Sequence, residues 1–304
     1  MILVHHIEKI ATSHGDRLKV IPIDRLQDLK LTIEQFKENE DLNNFQQWII
    51  DKLYRYKLPN TDFTINSILL LAIHHPFYAK VNFYKGGEKY TFLSLVRSNF
   101  EGAEAYLIQY AKDNGYHIKK AKNLPLKRLG VHSGLAKYGR NNITYIDGFG
   151  SNFSYAAYFS DLPSIEDTWG DMDLSKTCSK CNLCIDSCPT GAIRKDRFLI
   201  DNQKCLSCIN EIKGEFPEWI PLTAHHTLYD CLICQRVCPM NHKQLGDVLD
   251  PISFTEEETN LLLKGESLTS FSEEAKSKIY LLGIHEWYSA IPRNLQILFE
   301  HYKP

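Results

Sequence analysis

No cysteine occurs in the first 177 residues of this 304-residue chain, and none in its last 66. No apolar run is longer than Ile68 to Ile73, far short of what a bilayer span requires. The N-terminal stretch MILVHHIEKIATSHGDRLKV offers only three consecutive apolar residues before two histidines, too few for the core of a secretory signal. Neither sign of charge dominates. With 35 Lys and Arg against 37 Asp and Glu, the net charge is −2, so no global basic field attracts nucleic acid, and nucleic-acid binding is doubtful. Low-complexity segments are absent, and 43% hydrophobic with 24% charged content is that of a globular chain long enough for one large core or two modest ones. These absences together predict a cytoplasmic protein with no membrane partner. A reducing compartment argues against disulfides and for metal or redox chemistry.

What is present is concentrated. All nine cysteines fall between Cys178 and Cys238. Cys178, Cys181, Cys184 and Cys188 follow C-x2-C-x2-C-x3-C and run straight into Pro189. That is the bacterial ferredoxin run, in which three thiolates hold one [4Fe–4S] cube and the fourth reaches the other cluster. Cys231, Cys234 and Cys238, followed by Pro239, repeat the pattern without its first member, which Cys205 or Cys208 can supply. The crossed assignment puts Cys178, Cys181, Cys184 and Cys238 on one cluster. Cys188, Cys231, Cys234 and one of the Cys205/Cys208 pair, with Cys205 chosen, go on the other, and one thiol is spare. Structural zinc is the competing reading, because paired C-x2-C units also describe zinc ribbons. Zinc does not account for two Cys-Pro endings after an x3 step. Thiolate ligation makes each cluster a one-electron centre.

Elsewhere the periodicity predicts a helix over 1–13, a strand over 18–23, helices over 31–39 and 44–56, and a strand over 67–75 buried on both faces. The span 91–113 reads as the clearest helix, stopped by Asn114-Gly115. Glycines 130, 134, 139, 148 and 150 interrupt an aromatic-rich stretch, as a cofactor cradle or as a plain glycine-rich hairpin. Lys127, Arg128, Lys137 and Arg140 make that stretch locally basic, and the histidine pairs at 5–6, 74–75 and 225–226 are unsuited to chelation. Two amphipathic helices with Thr or Ser caps are expected after residue 254.

The order CSKCNLCIDSCPTGAI, DNQKCLSC, EIKGEFPEWIP, YDCLICQRVCPMN resembles the cluster region of the epoxyqueuosine reductases. SGLAKYGRNN, DGFGSNF and SDLP resemble that family's glycine-rich segment, and NSILLLAIHHP a strand of its N-terminal domain. The resemblance covers about 1–245. It implies reduction of the epoxide in the tRNA-bound queuosine precursor, at a cobalamin fed by two [4Fe–4S] clusters. Gly134, Leu135, Gly139, Arg140, Asn141, Asn142, Gly150 and Ser151 would then line the corrin. The family's proton-donating aspartate has no counterpart: the equivalent stretch, KKAKNLPLKRL (119–129), contains no acid. Tyr145, Asp147, His132 and Asp161 are the alternative donors, the first three being the chosen catalytic candidates. The family's C-terminal repeats are shortened, although IPRNLQILF (291–299) resembles one.

The expected architecture is a mixed α/β domain over 1–165, a ferredoxin-like double [4Fe–4S] domain over 166–245 and a helical tail over 246–304. The expected function is an iron–sulfur oxidoreductase, passing low-potential electrons from a flavodoxin- or ferredoxin-type donor to a corrinoid or a substrate in a glycine-rich cleft. That substrate is a small molecule or tRNA-bound. The alternatives are an electron-transfer protein without cobalamin, and a true epoxyqueuosine reductase.

Overall fold

The computed structural model describes residues 2–172 and 174–302, and the chain divides into two compact units: residues 1–75 with 98–179, and residues 76–97 with 180–304. The first helix of the sequence reading therefore appears as α1 (Ile2–Ser13), Met1 lying outside the described residues. The first unit continues with β1 (Arg17–Pro22), α2 (Arg25–Asn39), α3 (Asn44–Trp48) and β2 (Ser67–His74). The chain then leaves for the second unit as β3 (Tyr78–Lys85) and β4 (Glu88–Ser94). It returns with α4 (Phe100–Asp113), β5 (Ile118–Ala121), α5 (Leu126–His132), the short pair β6 (Lys137–Tyr138) and β7 (Thr144–Tyr145), and β8 (Phe153–Ser160).

In the first unit β1, β2, β8 and β5 form one antiparallel sheet in that order. Seven of the eight β2 residues are buried, as a central strand covered on both faces must be. Strand alternation sends Leu69, Leu71 and Ile73 to one face, where Ile7 and Ala11 of α1 and Ala103 and Leu107 of α4 pack. Ile68 and Leu70 face the other way, against Leu26 and Leu29 of α2 and Leu129 of α5. The layers are helix, sheet, helix. Each of the leucine and isoleucine side chains contributes about 1.5–3 kcal/mol on leaving water.

The helix expected over 91–113 is cut in two. Residues 91–94 belong to β4, and α4 starts at Phe100, capped by the Asn99 side chain accepting from Gly102 N–H. Gly86 and Gly87, at φ +63° and +80°, turn β3 into β4 as a two-residue hairpin. The Gly-Gly pair between alternating residues was the available signal. Helix α2 likewise begins six residues before the expected 31, because Leu26 and Leu29 extend its apolar stripe toward the sheet.

In the second unit β3 pairs antiparallel with β4 and parallel with β9 (Val248–Phe254). Between them in sequence stand three short helices, α6 (Leu183–Asp186), α7 (Leu206–Glu211) and α8 (Ile233–Arg236). Three longer ones follow: α9 (Glu256–Lys264), α10 (Glu273–Leu281) and α11 (Ile291–His301). A full capping box, Thr255 with Glu258, opens α9, and Ser272 caps α10, as the Thr and Ser ahead of acidic residues predict. Ala79, Val81 and Phe83 of β3 pack against Phe254, Leu262, Ile279, Leu295 and Leu298 in a single core.

Candidate functional site

The two cysteine runs take the same local shape. Cys184 lies on the one-turn helix α6 and Cys234 on the one-turn helix α8, each helix starting two residues after the preceding cysteine. Each run ends at a Cys-Pro step, and the second turns into a 3-10 helix at Pro239–Asn241. The chain around Cys231 is unusual: Asp230 and Leu232 both adopt left-handed backbone, φ +60° and +61°. Such conformations cost free energy in non-glycine residues and persist where the surroundings over-determine them.

In the second unit Cys188 acts on the Cys205 and Cys231 thiols, and Cys205 acts on Cys231. Burial pushes the Cys231 thiol up to about 12, and the charges of Cys205 and Cys188 add to the effect. Cys205 is raised by burial and, in smaller measure, by Cys188, while backbone N–H groups of Cys208 and Ser207 draw it down. Cys208 is raised to about 11 by burial, then by Glu211 and Cys205. Cys205, and not Cys208, is thus the member of the pair that feels Cys188 and is felt by Cys231. Half-buried thiols that disfavour one another's ionisation are a donor set that cationic iron satisfies, so these residues fit a cluster. Among the described residues no group of three or more His, Cys, Asp or Glu is disposed to hold a single metal ion. His226, between the two runs, directs Nδ1 at the Ala224 carbonyl (2.7 Å) and Nε2 at the Cys231 carbonyl (2.6 Å).

Cys178 belongs to the first unit and is buried there. The backbone N–H of Arg140 donates to its Sγ at 3.4 Å, and Arg140 Nη2 donates to its carbonyl at 2.9 Å. The glycine-rich segment therefore grips the first cysteine of the block by both its thiol and its backbone. Hydrogen bonds to ligand sulfur are one of the levers that set a cluster's potential.

The remaining candidates of that segment have particular settings. Tyr145 is buried, and its hydroxyl accepts from Asn141 Nδ2 at 2.8 Å. His132 is buried against Trp169, ring centroids 4.8 Å apart; its Nδ1 faces the Gly170 carbonyl at 2.7 Å, and its Nε2 is buried without a partner. Asp147 is exposed in the turn after β7. Asp161 pairs with His117, Oδ2 to Nδ1 at 2.7 Å. Gly139 leaves room for the chain itself: a Cβ there would sit 2.6 Å from the Tyr145 ring and 2.7 Å from Asn141. Gly134, Gly148 and Gly150 have positive φ, the conformation that favours glycine. Leu135 packs with the α2–α5 layer, Ser151 is buried, and Asn142 adopts φ +61°. The glycines thus serve the segment's own turns and packing, and none of them by itself requires a corrin. The basic residues do not form one face either, since Arg128 stacks on Phe36 at 3.9 Å while Arg140 is spent on Cys178.

Sequence reasoning passed over Thr168, whose Oγ1 donates to the Ser133 carbonyl at 2.7 Å, and Gly170, whose N–H donates to the His132 carbonyl at 2.8 Å. Together these close the chain over the end of α5. Neither contact has a local signature.

Residues 177–241 match the family model of the 4Fe-4S double cluster binding domain. The chain is 37% identical over 116 residues to an epoxyqueuosine reductase of Cyclobacterium marinum, a match covering 38% of this chain and 36% of that one. Matches to the first curated relatives, this one and that of Bacillus anthracis, span 36% and 38% of their length. Two solved structures share the fold. The epoxyqueuosine reductase of Streptococcus thermophilus aligns at TM-score 0.62 and 17% identity, over 99% of this chain and 82% of that one. An epoxyqueuosine reductase with an epoxyqueuosine-modified tRNA stem loop aligns at TM-score 0.67 and 20% identity, over 98% and 80%.

Proposed function

We propose that this chain, a divergent relative of the epoxyqueuosine reductases carrying a double [4Fe–4S] domain, is a cytoplasmic iron–sulfur reductase. In this reading residues 166–245 carry electrons one at a time, residues 1–165 hold the acceptor, and residues 246–304 brace the clusters. The observation that carries it is the double grip of Arg140 on Cys178. An acceptor-side segment that donates a hydrogen bond to a ligand thiolate has a direct means of poising the electron it receives. Electrons would enter from a low-potential donor of flavodoxin or ferredoxin type.

In the ligand assignment, Cys178, Cys181, Cys184 and Cys238 hold one cluster. Cys188, Cys205, Cys231 and Cys234 hold the other, supported by the influence of Cys188 on Cys205 and of both on Cys231. When bound, the clusters supply one-electron transfer; a corrinoid at the acceptor site would supply the reductive chemistry that the family resemblance implies. The chain's own part is to deliver a proton. His132 and Tyr145 are the favoured donors, since both are buried and each is oriented by a hydrogen bond, with Asp147 the third candidate. His132 Nε2 is the freer group, because its other nitrogen is already engaged by Gly170. The substrate class is a tRNA-bound or small-molecule epoxide or similarly reducible group.

A second reading, a two-cluster electron carrier without cobalamin, is favoured by the absence of any acid in residues 119–129 and by glycines that serve internal packing. One experiment separates the two. Protein purified without oxygen is incubated with cobalamin, gel-filtered and analysed for metals. About eight irons per chain with near-stoichiometric cobalt supports the corrinoid reductase. The same iron without cobalt leaves the carrier, and far less iron refutes both.

A further inference from the structure

We infer that Arg293 and Asn294, in the first turn of α11, are positioning residues for the second cluster; the inference rests on the two-cluster reading above. Asn294 is 1% exposed, and both protons of its amide are used. Nδ2 donates to the Asn210 carbonyl at 2.7 Å, near the end of α7, and to the Leu228 carbonyl at 3.0 Å, three residues before Cys231. Its oxygen accepts from Arg293 Nε and Nη2 at 3.1 and 2.9 Å, which fixes the orientation of the amide. The same guanidinium donates to the carbonyls of Ile209 (2.9 Å) and Gly214 (2.7 Å) and lies 3.9 Å over the Phe216 ring.

The hub continues outward. Asn210 Nδ2 donates to the Asp230 carbonyl at 2.7 Å, and Ser207 Oγ donates to the Asp230 carboxylate at 2.6 Å. Two segments distant in sequence, one carrying Cys205 and Cys208 and the other Cys231 and Cys234, are thereby tied to one amide from the C-terminal helix. Carbonyls at the end of a helix have no intrahelical partner, and here Arg293 and Asn294 supply the donors. The left-handed Asp230 next to Cys231 is held in place by this network. The stretch resembling a repeat in the sequence is thus part of the cluster scaffold.

The test uses the full chain purified without oxygen, in wild-type form and as Asn294→Asp, Asn294→Ala and Arg293→Lys. Asn294→Asp keeps the shape of the side chain and removes its donors; Arg293→Lys keeps the charge and removes the fork. Iron per chain, the EPR-monitored potential of each cluster and the thermal midpoint are measured together. The expected result is loss of one cluster in the Asn294 variants, iron falling about two-fold from about eight per chain. In Arg293→Lys both clusters assemble, but the potential of one alone is displaced. Variants with both clusters at wild-type potentials overturn the clamp, even if the thermal midpoint falls. Should the Asn294 variants not fold, Arg293→Lys decides by the same criterion. A wild-type protein with fewer than two clusters overturns the cluster reading, and the clamp with it.

Discussion

Replacing Arg140 by glutamine removes a positive charge next to Cys178 while leaving the backbone N–H that donates to its sulfur. The guanidinium touches the Cys178 carbonyl at 2.9 Å, which puts the charge within one residue's reach of the cluster. Taking roughly 8 Å between the charge and the added electron and an effective dielectric of about 20, the interaction is about 2 kcal/mol. For a one-electron couple that is about 90 mV, and partial exposure of Arg140 screens it toward about half. The sign is fixed: a cation favours the reduced cluster, so its loss lowers the potential. An anaerobic redox titration followed by EPR reads this directly. The potential of one cluster is expected to fall by about 50–90 mV in Arg140→Gln and to recover most of the way in Arg140→Lys. A fall in both clusters, no change, or a rise would refute the assignment of Arg140 to the Cys178 cluster.

Three further outcomes are expected. Cys184→Ser disturbs one cluster and leaves the other assembled, whereas Cys208→Ser leaves iron content unchanged and Cys205→Ser lowers it; iron analysis of the purified variants decides each. His117 is raised by the hydrogen bond it donates to Asp161, so the pair's stabilisation is complete below about pH 6.5 and is lost as pH rises through the raised folded value. NMR should show His117 titrating above its ordinary value, and nearer to it in Asp161→Asn. Gly139→Ala drives a methyl into the Tyr145 ring and Asn141, and should lower stability by about 1–3 kcal/mol in denaturant unfolding while disturbing the Asn141–Tyr145 bond.

Much of this was legible beforehand for a physical reason. Ligand spacing for a cubane is local chain geometry, so Cys178 to Pro189 announces the double-cluster domain over 177–241 without any tertiary information. The β2 run also speaks for itself, since only a strand covered on both faces tolerates ILLLAI. Residues 91–94 were misread because TFLSLV fits either period over so short a window, and only the partner strand across Gly86-Gly87 decides.

By itself, then, the amino-acid order determined the metal chemistry and the relationship to the epoxyqueuosine reductases, because both are written in short-range spacing. Tertiary structure alone decided that residues 76–97 join the second unit, and that the glycine-rich segment grips Cys178. It alone brought Asn294 to the carbonyls of Asn210 and Leu228. These are contacts between residues tens of positions apart. They arise from the burial of many side chains at once, which no local pattern encodes.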